Sequence, residues 1–270
     1  MSESISSCQF SEAREQAIID AAEVIGCAAL EQVDATHGSG YPLWTPGSQE
    51  LSYHNGHHGR AVGDGAFLMA QAVGLDRVAQ AVAKHAGRAH DIVQLRGRGL
   101  DEGASAEWLT AAMQEREVFP AELQLMGSLA ILGTEPLFAD GKLVGQKATE
   151  MEYPDRRTEL VAKSVACGDL GELHQPQGPY LGHLLFREIK GMVPEGELPM
   201  GDLLGFQRNQ QALIDNFQYP LAEAVSVLAT HRPQVSEYNA QLVDKLERGT
   251  IETWDEVIRQ DVAFMHQHQA

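Results

Sequence analysis

Cysteine is scarce in this chain. Cys8, Cys27 and Cys167 are its three thiols in 270 residues, and no two form a CxxC pair. That spacing supports neither a disulfide framework nor a thiolate zinc site. Basic residues are also few, 20 Lys and Arg against 38 Asp and Glu, for a formal charge of −18. A protein that coats nucleic acid needs a basic face for the phosphates, so that class is disfavoured. A small anion remains compatible if a cation or a few arginines offset the field locally. No apolar run reaches the length of a membrane helix, about 18 residues. Residues 1–10 (MSESISSCQF) lack the basic start and apolar stretch of a signal peptide. The expectation is a reduced, cytoplasmic protein without membrane contact. No P-loop, dinucleotide fingerprint, GxSxG elbow or HExxH occurs.

What is present reads as helix. Hydrophobic residues make up 43% and charged residues 21%, ordinary for a globular protein. Apolar residues at helical spacing predict helices over about 11–33, 56–74, 77–94, 104–117, 121–132 and 156–168. Three more are predicted over 202–217, 220–247 and 253–266, after a run LGHLLFREIKGM of the same character. Pro220 falls where a first turn tolerates proline. Residues 34–52, rich in Gly and Pro, read as an irregular loop. PLFADGKLVGQ carries an Asp140-Gly141 turn between short apolar runs, the pattern of a small hairpin. The fold class is therefore all-α with one small β-hairpin. A single domain is expected, its core at about 11–175 and a C-terminal helical extension at about 176–270.

The stretch YHNGHHGRAV, residues 53–62, crowds three histidines at one helix start. With Asn55 as cap, His58 enters the first turn. At about 100° per residue it shares a sector with Val62, Ala66, Met69 and Val73, so it heads the inward stripe. His57 lies about 100° away, nearer solvent, and His54 precedes the helix. The next predicted helix ends in AHD, where His90 and Asp91 can converge on one cation from adjacent positions. Val161, Val165 and Asp169, spaced by four, place a carboxylate on an apolar stripe, and a buried carboxylate needs a cation, strong donors or a proton. His58, His90, Asp91 and Asp169 thus form a nitrogen–oxygen set suited to a divalent metal. His85, on a stripe with Val78, Val82, Ala89 and Ile92, reads as a packed core histidine. His266 and His268 read as disordered tail.

The order His58, His90-Asp91, Asp169 resembles the HD-domain superfamily of metal-dependent phosphohydrolases. YHNGHH is similar to the YHNxxH start of one branch, and the likeness covers about residues 40–175. It implies an HD-type helical core, one divalent metal (Mn, Fe, Co, Ni, Zn or Mg) on these four residues, and hydrolysis of a phosphomonoester or phosphoanhydride by a metal-activated water. No histidine occurs between His90 and Asp169, so the likeness is to the mononuclear hydrolases. Several of these carry a glutamate where this chain has Gln94. Glu102, in LDEGASAEW, resembles the acid of an Asn-Glu-x-x-Ser-Ala segment in the YHNxxH branch, with Asp101 in place of the asparagine. Acids in a first turn also favour the helix dipole with no chemical role.

The resulting expectation is a metal-dependent phosphohydrolase for a small phosphorylated metabolite, most simply a nucleotide. Asp91 ligates and orients water, Glu102 or His54 handles protons, and Arg60 and Arg88 meet the phosphate. Lys84, Arg96 and Arg98 cluster near them in sequence. Nucleic acid is not expected as a partner, and the chain is compatible with a homo-oligomer. A metal-dependent oxygenase on the same scaffold and a non-catalytic metal-binding protein are the alternatives.

Overall fold

A computed structural model describes residues 10–37, 53–94, 100–139, 142–191 and 199–268. Short polar residues start several helices by satisfying their open backbone donors. Asn55 accepts from the amides of His57 and His58 and starts α2, Gly56–Ala72. Asp76 accepts from Val78 and Ala79 at the head of α3, Arg77–Ala89. Asp155 does the same for Thr158 in α6, Arg156–Asp169. Before and between these lie α1 (Glu12–His37), α4 (Leu100–Glu115) and α5 (Ala121–Leu132). After them come α7 (Gly178–Ile189), α8 (Met200–Asn216), α9 (Ala224–Val227), α10 (Arg232–Glu247) and α11 (Trp254–His268). Among the described residues the protein is all-α apart from one hairpin.

That hairpin pairs β1 (Pro136–Ala139) with β2 (Lys142–Gln146) antiparallel, with an irregularity between Leu137 and Phe138. Its Asp140-Gly141 turn lies outside the described residues, as do Cys8, Arg96, Arg98 and most of the 34–52 loop. Among the described residues no helix is long and apolar enough to cross a membrane.

The main core joins α1 to α6 through residues such as Ile18, Met69, Val82, Leu109, Ile131 and Val165. At its centre α2 lies between α3 and α6, and glycine sets the approach. A Cβ on Gly168 of α6 would stand 2.6 Å from the Val62 carbonyl of α2. One on Gly87 of α3 would stand 3.0 Å from the Gly63 Cα. Arg157 of α6 adds a tie, donating at 2.7 and 2.9 Å to the Asp76 carboxylate. These contacts bring the start of α2, the end of α3 and the end of α6 to one place.

Several boundaries differ from the sequence expectation. The helix predicted over 77–94 stops at Ala89, and His90 and Asp91 lie in a turn that Ile92 closes with a 3.2 Å bond to the Ala89 carbonyl. The first helix runs on to His37. The predicted 220–247 helix divides into α9 and α10, and the proline in a first turn is Pro233 rather than Pro220. His266 and His268 belong to α11, where the His268 ring packs 4.6 Å from Phe264, so the tail is helical rather than disordered. The C-terminal extension is also no appendage. Leu221, Ala224 and Leu228 join the main core, while smaller apolar clusters hold the remaining helices together.

Candidate metal centre

The junction of α2, α3 and α6 gathers the four residues singled out from sequence. One donor atom each from His58, His90 and Asp169 lies within 4.8 Å of the other two. Asp91 Oδ2 stands 2.9 Å from His90 Nε2 and 3.5 Å from His58 Nε2. Asp169 Oδ1 stands 3.4 and 3.3 Å from the same two nitrogens. Both rings are buried, 3% and 2% exposed, whereas the Asp91 and Asp169 side chains are 15% and 17% exposed. The group therefore meets solvent on its carboxylate side. His90 keeps helical backbone angles, φ −61° and ψ −32°, and its imidazole and the adjacent Asp91 carboxylate converge on one point beside the helix end.

Three of the four ligands are oriented from behind. His90 Nδ1 donates to the Gly87 carbonyl at 2.7 Å, which leaves the Nε2 lone pair facing the cluster. Gln94 donates to Asp91 Oδ1 at 2.6 Å, and Gln146, at the end of β2, donates to Asp169 Oδ2 at 2.9 Å. One oxygen of each carboxylate is thereby used, and the other faces the imidazoles. Gln94, which stands where the resembled hydrolases carry an acid, holds a carboxylate in place.

The inward atoms are close, but their geometry is not that of hydrogen bonds. Both nitrogens of His58, Nε2 of His90 and Oδ2 of Asp91 are buried without a hydrogen-bond partner. Orphaned polar atoms of this kind are rare and costly. Three of them, His58 Nε2, His90 Nε2 and Asp91 Oδ2, face one another and fit a cation, while His58 Nδ1 points away toward Glu172. The electrostatics agree. Burial alone would discharge His58, yet Asp169, Glu172 and Asp91 together push it up to about 9. His90 is raised well above its ordinary value, burial again being overcome, chiefly by Asp91 and Asp169. Burial works against the charge of Asp169 too, but His58 and His90 hold its carboxyl down to about 2. Asp91 is held below the carboxylate range by the same balance, with His90 the largest opposing influence. A field that favours positive charge so strongly also favours a metal ion.

The surrounding shell contains residues that local sequence does not expose. Glu172, in the 3-10 turn Gly171–His174, lies 3.9 Å from His58 Nδ1 and 3.9 Å from His57 Nε2. Glu188, on α7, accepts the His54 Nδ1 proton. His37, buried at the end of α1, is lowered by burial against the opposing pull of Asp91 and Glu188. A period of 3.6 within one helix carries no sign of these partners, which arrive from elsewhere in the chain.

Arg60 and Arg88, expected at the phosphate, are paired elsewhere. Arg60 pairs with Asp34, and Arg88 donates to Glu23 at 2.9 Å, so both guanidiniums are engaged by carboxylates of α1. Each lies two residues from a ligand histidine, on another side of its helix. Lys84 shares Glu23 with Arg88. Glu102 is half-buried in the first turn of α4. His85 is a packed core histidine as expected, 2% exposed and 3.1 Å from Glu23.

Fold and site together define a helical protein whose buried histidine–carboxylate group can hold a metal ion. No family model, curated protein or solved structure matches the chain.

Proposed function

We propose that the centre binds one divalent cation through His58, His90, Asp91 and Asp169 and hydrolyses a phosphate ester or anhydride of a small metabolite, with nucleotides the first class to test. The observation that carries the reading is the set of orphaned inward atoms, joined to carboxylates that remain open to solvent. Two imidazoles and two carboxylates accept Mn, Fe, Co, Ni, Zn or Mg without sharp discrimination. When bound, such an ion supplies Lewis acidity to a phosphoryl oxygen and makes water more acidic. Gln94 and Gln146 keep the two carboxylates aimed, Asp91 orients water, and Glu102 or His54 moves protons.

A second reading draws on the arginines. With Arg60 and Arg88 paired to α1, more of the phosphate attraction falls on the cation, and that favours a metal-binding protein without phosphate turnover. The acidic chain disfavours nucleic acid under either reading. Metal analysis of the purified protein, coupled to a hydrolysis screen over nucleotides and sugar phosphates, separates the two. Bound metal with turnover of a small phosphate supports hydrolysis. Bound metal with no turnover across the screen supports the second reading, and absence of metal binding removes both. Oxygen consumption with bound iron would instead point to an oxygenase.

A further inference from the structure

Glu188 lies near the end of α7, 134 residues beyond His54, outside the stretch that resembles any family. Its Oε2 accepts the backbone amides of Tyr53 at 3.0 Å and His54 at 3.2 Å. Its Oε1 accepts the His54 Nδ1 proton. A carboxylate with three donors, 10% exposed, is fixed in place and kept charged. The His54 ring is fixed with it. It stands edge-on to the His58 ring with centroids 5.9 Å apart, and Tyr53 packs against both, 4.9 Å from His54 and 4.5 Å from His58.

The two nitrogens of His54 are therefore unlike. Nδ1 is committed to Glu188. No described protein group bonds Nε2, and the side chain is 26% exposed, so solvent and small molecules reach it. This differs from His58 and His90, which are closed in among the ligands, and from His85, which is sealed in the core. A carboxylate holding one imidazole nitrogen so that the other is presented beside a reaction centre is the arrangement of an oriented general base.

We infer that Glu188 is a positioning residue for His54, and that His54 Nε2 is the proton-transferring group of the centre. The role rests on the hydrolytic reading above. As the water oxygen bonds to phosphorus and the bond from phosphorus to the leaving oxygen breaks, the water proton passes to His54 Nε2 and then to the leaving oxygen. Glu188 keeps the Nδ1 proton in its hydrogen bond throughout. The C-terminal extension thus supplies part of the centre.

The test uses the full chain loaded with zinc. Long-range nitrogen–proton NMR of the wild type reads the His54 tautomer directly, with no substitution needed. A proton on Nδ1 is expected, and a proton on Nε2 alone overturns the positioning role. Hydrolysis of p-nitrophenyl phosphate and of nucleoside monophosphates is then compared for His54→Gln, Glu188→Gln and the double variant. The expected result is a fall in kcat of about 100-fold for His54→Gln, the usual scale of a general base. Glu188→Gln should fall by a smaller factor, and the double variant should be no worse than His54→Gln. KM and metal stoichiometry should hold. Unchanged turnover, losses that multiply, or loss of metal overturn the inference. So does a fall of about 100-fold in Glu102→Gln with metal retained and His54→Gln unaffected, which assigns the protons to α4. A wild type that hydrolyses no probe overturns the hydrolytic reading and the proton transfer with it, while the tautomer still decides whether Glu188 positions His54.

Discussion

His183 and His58 are both buried beside aspartates, yet His183 has no nitrogen left over. Its Nδ1 donates to Asp261 and its Nε2 accepts from Gln207. The other Asp261 oxygen accepts the Tyr238 hydroxyl at 2.7 Å. Histidine and aspartate are 0% exposed, and the edge of Trp254 closes over the ring. Each polar atom of His183 and Asp261 is used within the protein, so the pair serves to hold α7, α8, α10 and α11 together, although Gln207 Oε1 and Trp254 Nε1 beside it are buried without a partner. At the junction of α2, α3 and α6 the same residue types stand 2.9 to 3.5 Å apart, and four polar atoms remain unsatisfied. Satisfaction, more than residue identity or burial, separates a structural cluster from one built to receive a ligand.

Removing ligands should break the comparison most sharply. His90→Ala or Asp169→Ala is expected to weaken divalent metal binding by more than 100-fold, since even orienting residues behind a ligand are worth roughly 10–100-fold. Titration calorimetry with zinc or manganese reads this, and wild-type affinity in either variant would remove the residue from the centre.

The opposite substitutions act on stability. His183→Ala or Asp261→Ala leaves one buried partner uncompensated and should cost about 3–5 kcal/mol in urea unfolding, the range for a broken buried pair. Metal affinity of the folded fraction should change little. A stability loss below about 1 kcal/mol would mean that water replaces the missing partner.

Between these extremes, Gln94→Ala and Gln146→Ala should each weaken metal binding by about 10–100-fold with little change in apo stability, because each orients a carboxylate without ligating. Equal affinity would show that Asp91 and Asp169 are held in place by other groups.

A third buried histidine sharpens the contrast through pH. Burial, with Arg88 acting in the same direction, holds His85 down to about 3, below its ordinary 6.5. Between those values the unfolded chain binds a proton that the folded chain does not, so stability falls as pH is lowered from about 6.5. Glu23 acts in the same direction. Burial opposes its charge, but Arg88 and His85 keep it at about 2, so its contribution fades as pH drops below about 4.5. His58 and His90, both raised in the fold, act in the opposite direction. The measurement therefore compares urea midpoints of the wild type and His85→Gln from pH 7 to pH 4. The wild type should lose more stability on acidification, and an equal loss in both would contradict a neutral His85.

The smallest effects belong to the arginines. Arg60→Ala and Arg88→Ala break pairs with partly exposed carboxylates of α1 and should each cost about 1 kcal/mol or less. Zinc affinity should be unchanged. A large loss of affinity for a phosphate probe would return these residues to the substrate role expected from sequence.

Much of the centre is legible in the amino-acid sequence. Asn55 as a cap and the apolar spacing after it place His58 inward, and the spacing of Val161, Val165 and Asp169 does the same for a carboxylate. The hairpin is legible from its turn and flanking apolar runs, though not the arrival of its last residue, Gln146, against Asp169. Gln94 reads as a lost acid in the sequence because the sequence does not show that its amide donates to Asp91. Arg60 and Arg88 read as phosphate ligands because proximity in sequence to His58 and His90 says nothing about α1 opposite them.

Local spacing records which face of a helix is inward, since that is fixed by 3.6 residues per turn and by capping chemistry a few residues long. It therefore determined the helices, their buried stripes and three of the four inward groups. Glu172, Glu188 and the saturation of His183 depend on segments between 24 and 135 residues distant meeting at one point. Such meetings follow from glycine-tight crossings and burial of the whole core, which no local period encodes, and so the partners of each histidine were decided by the tertiary structure alone.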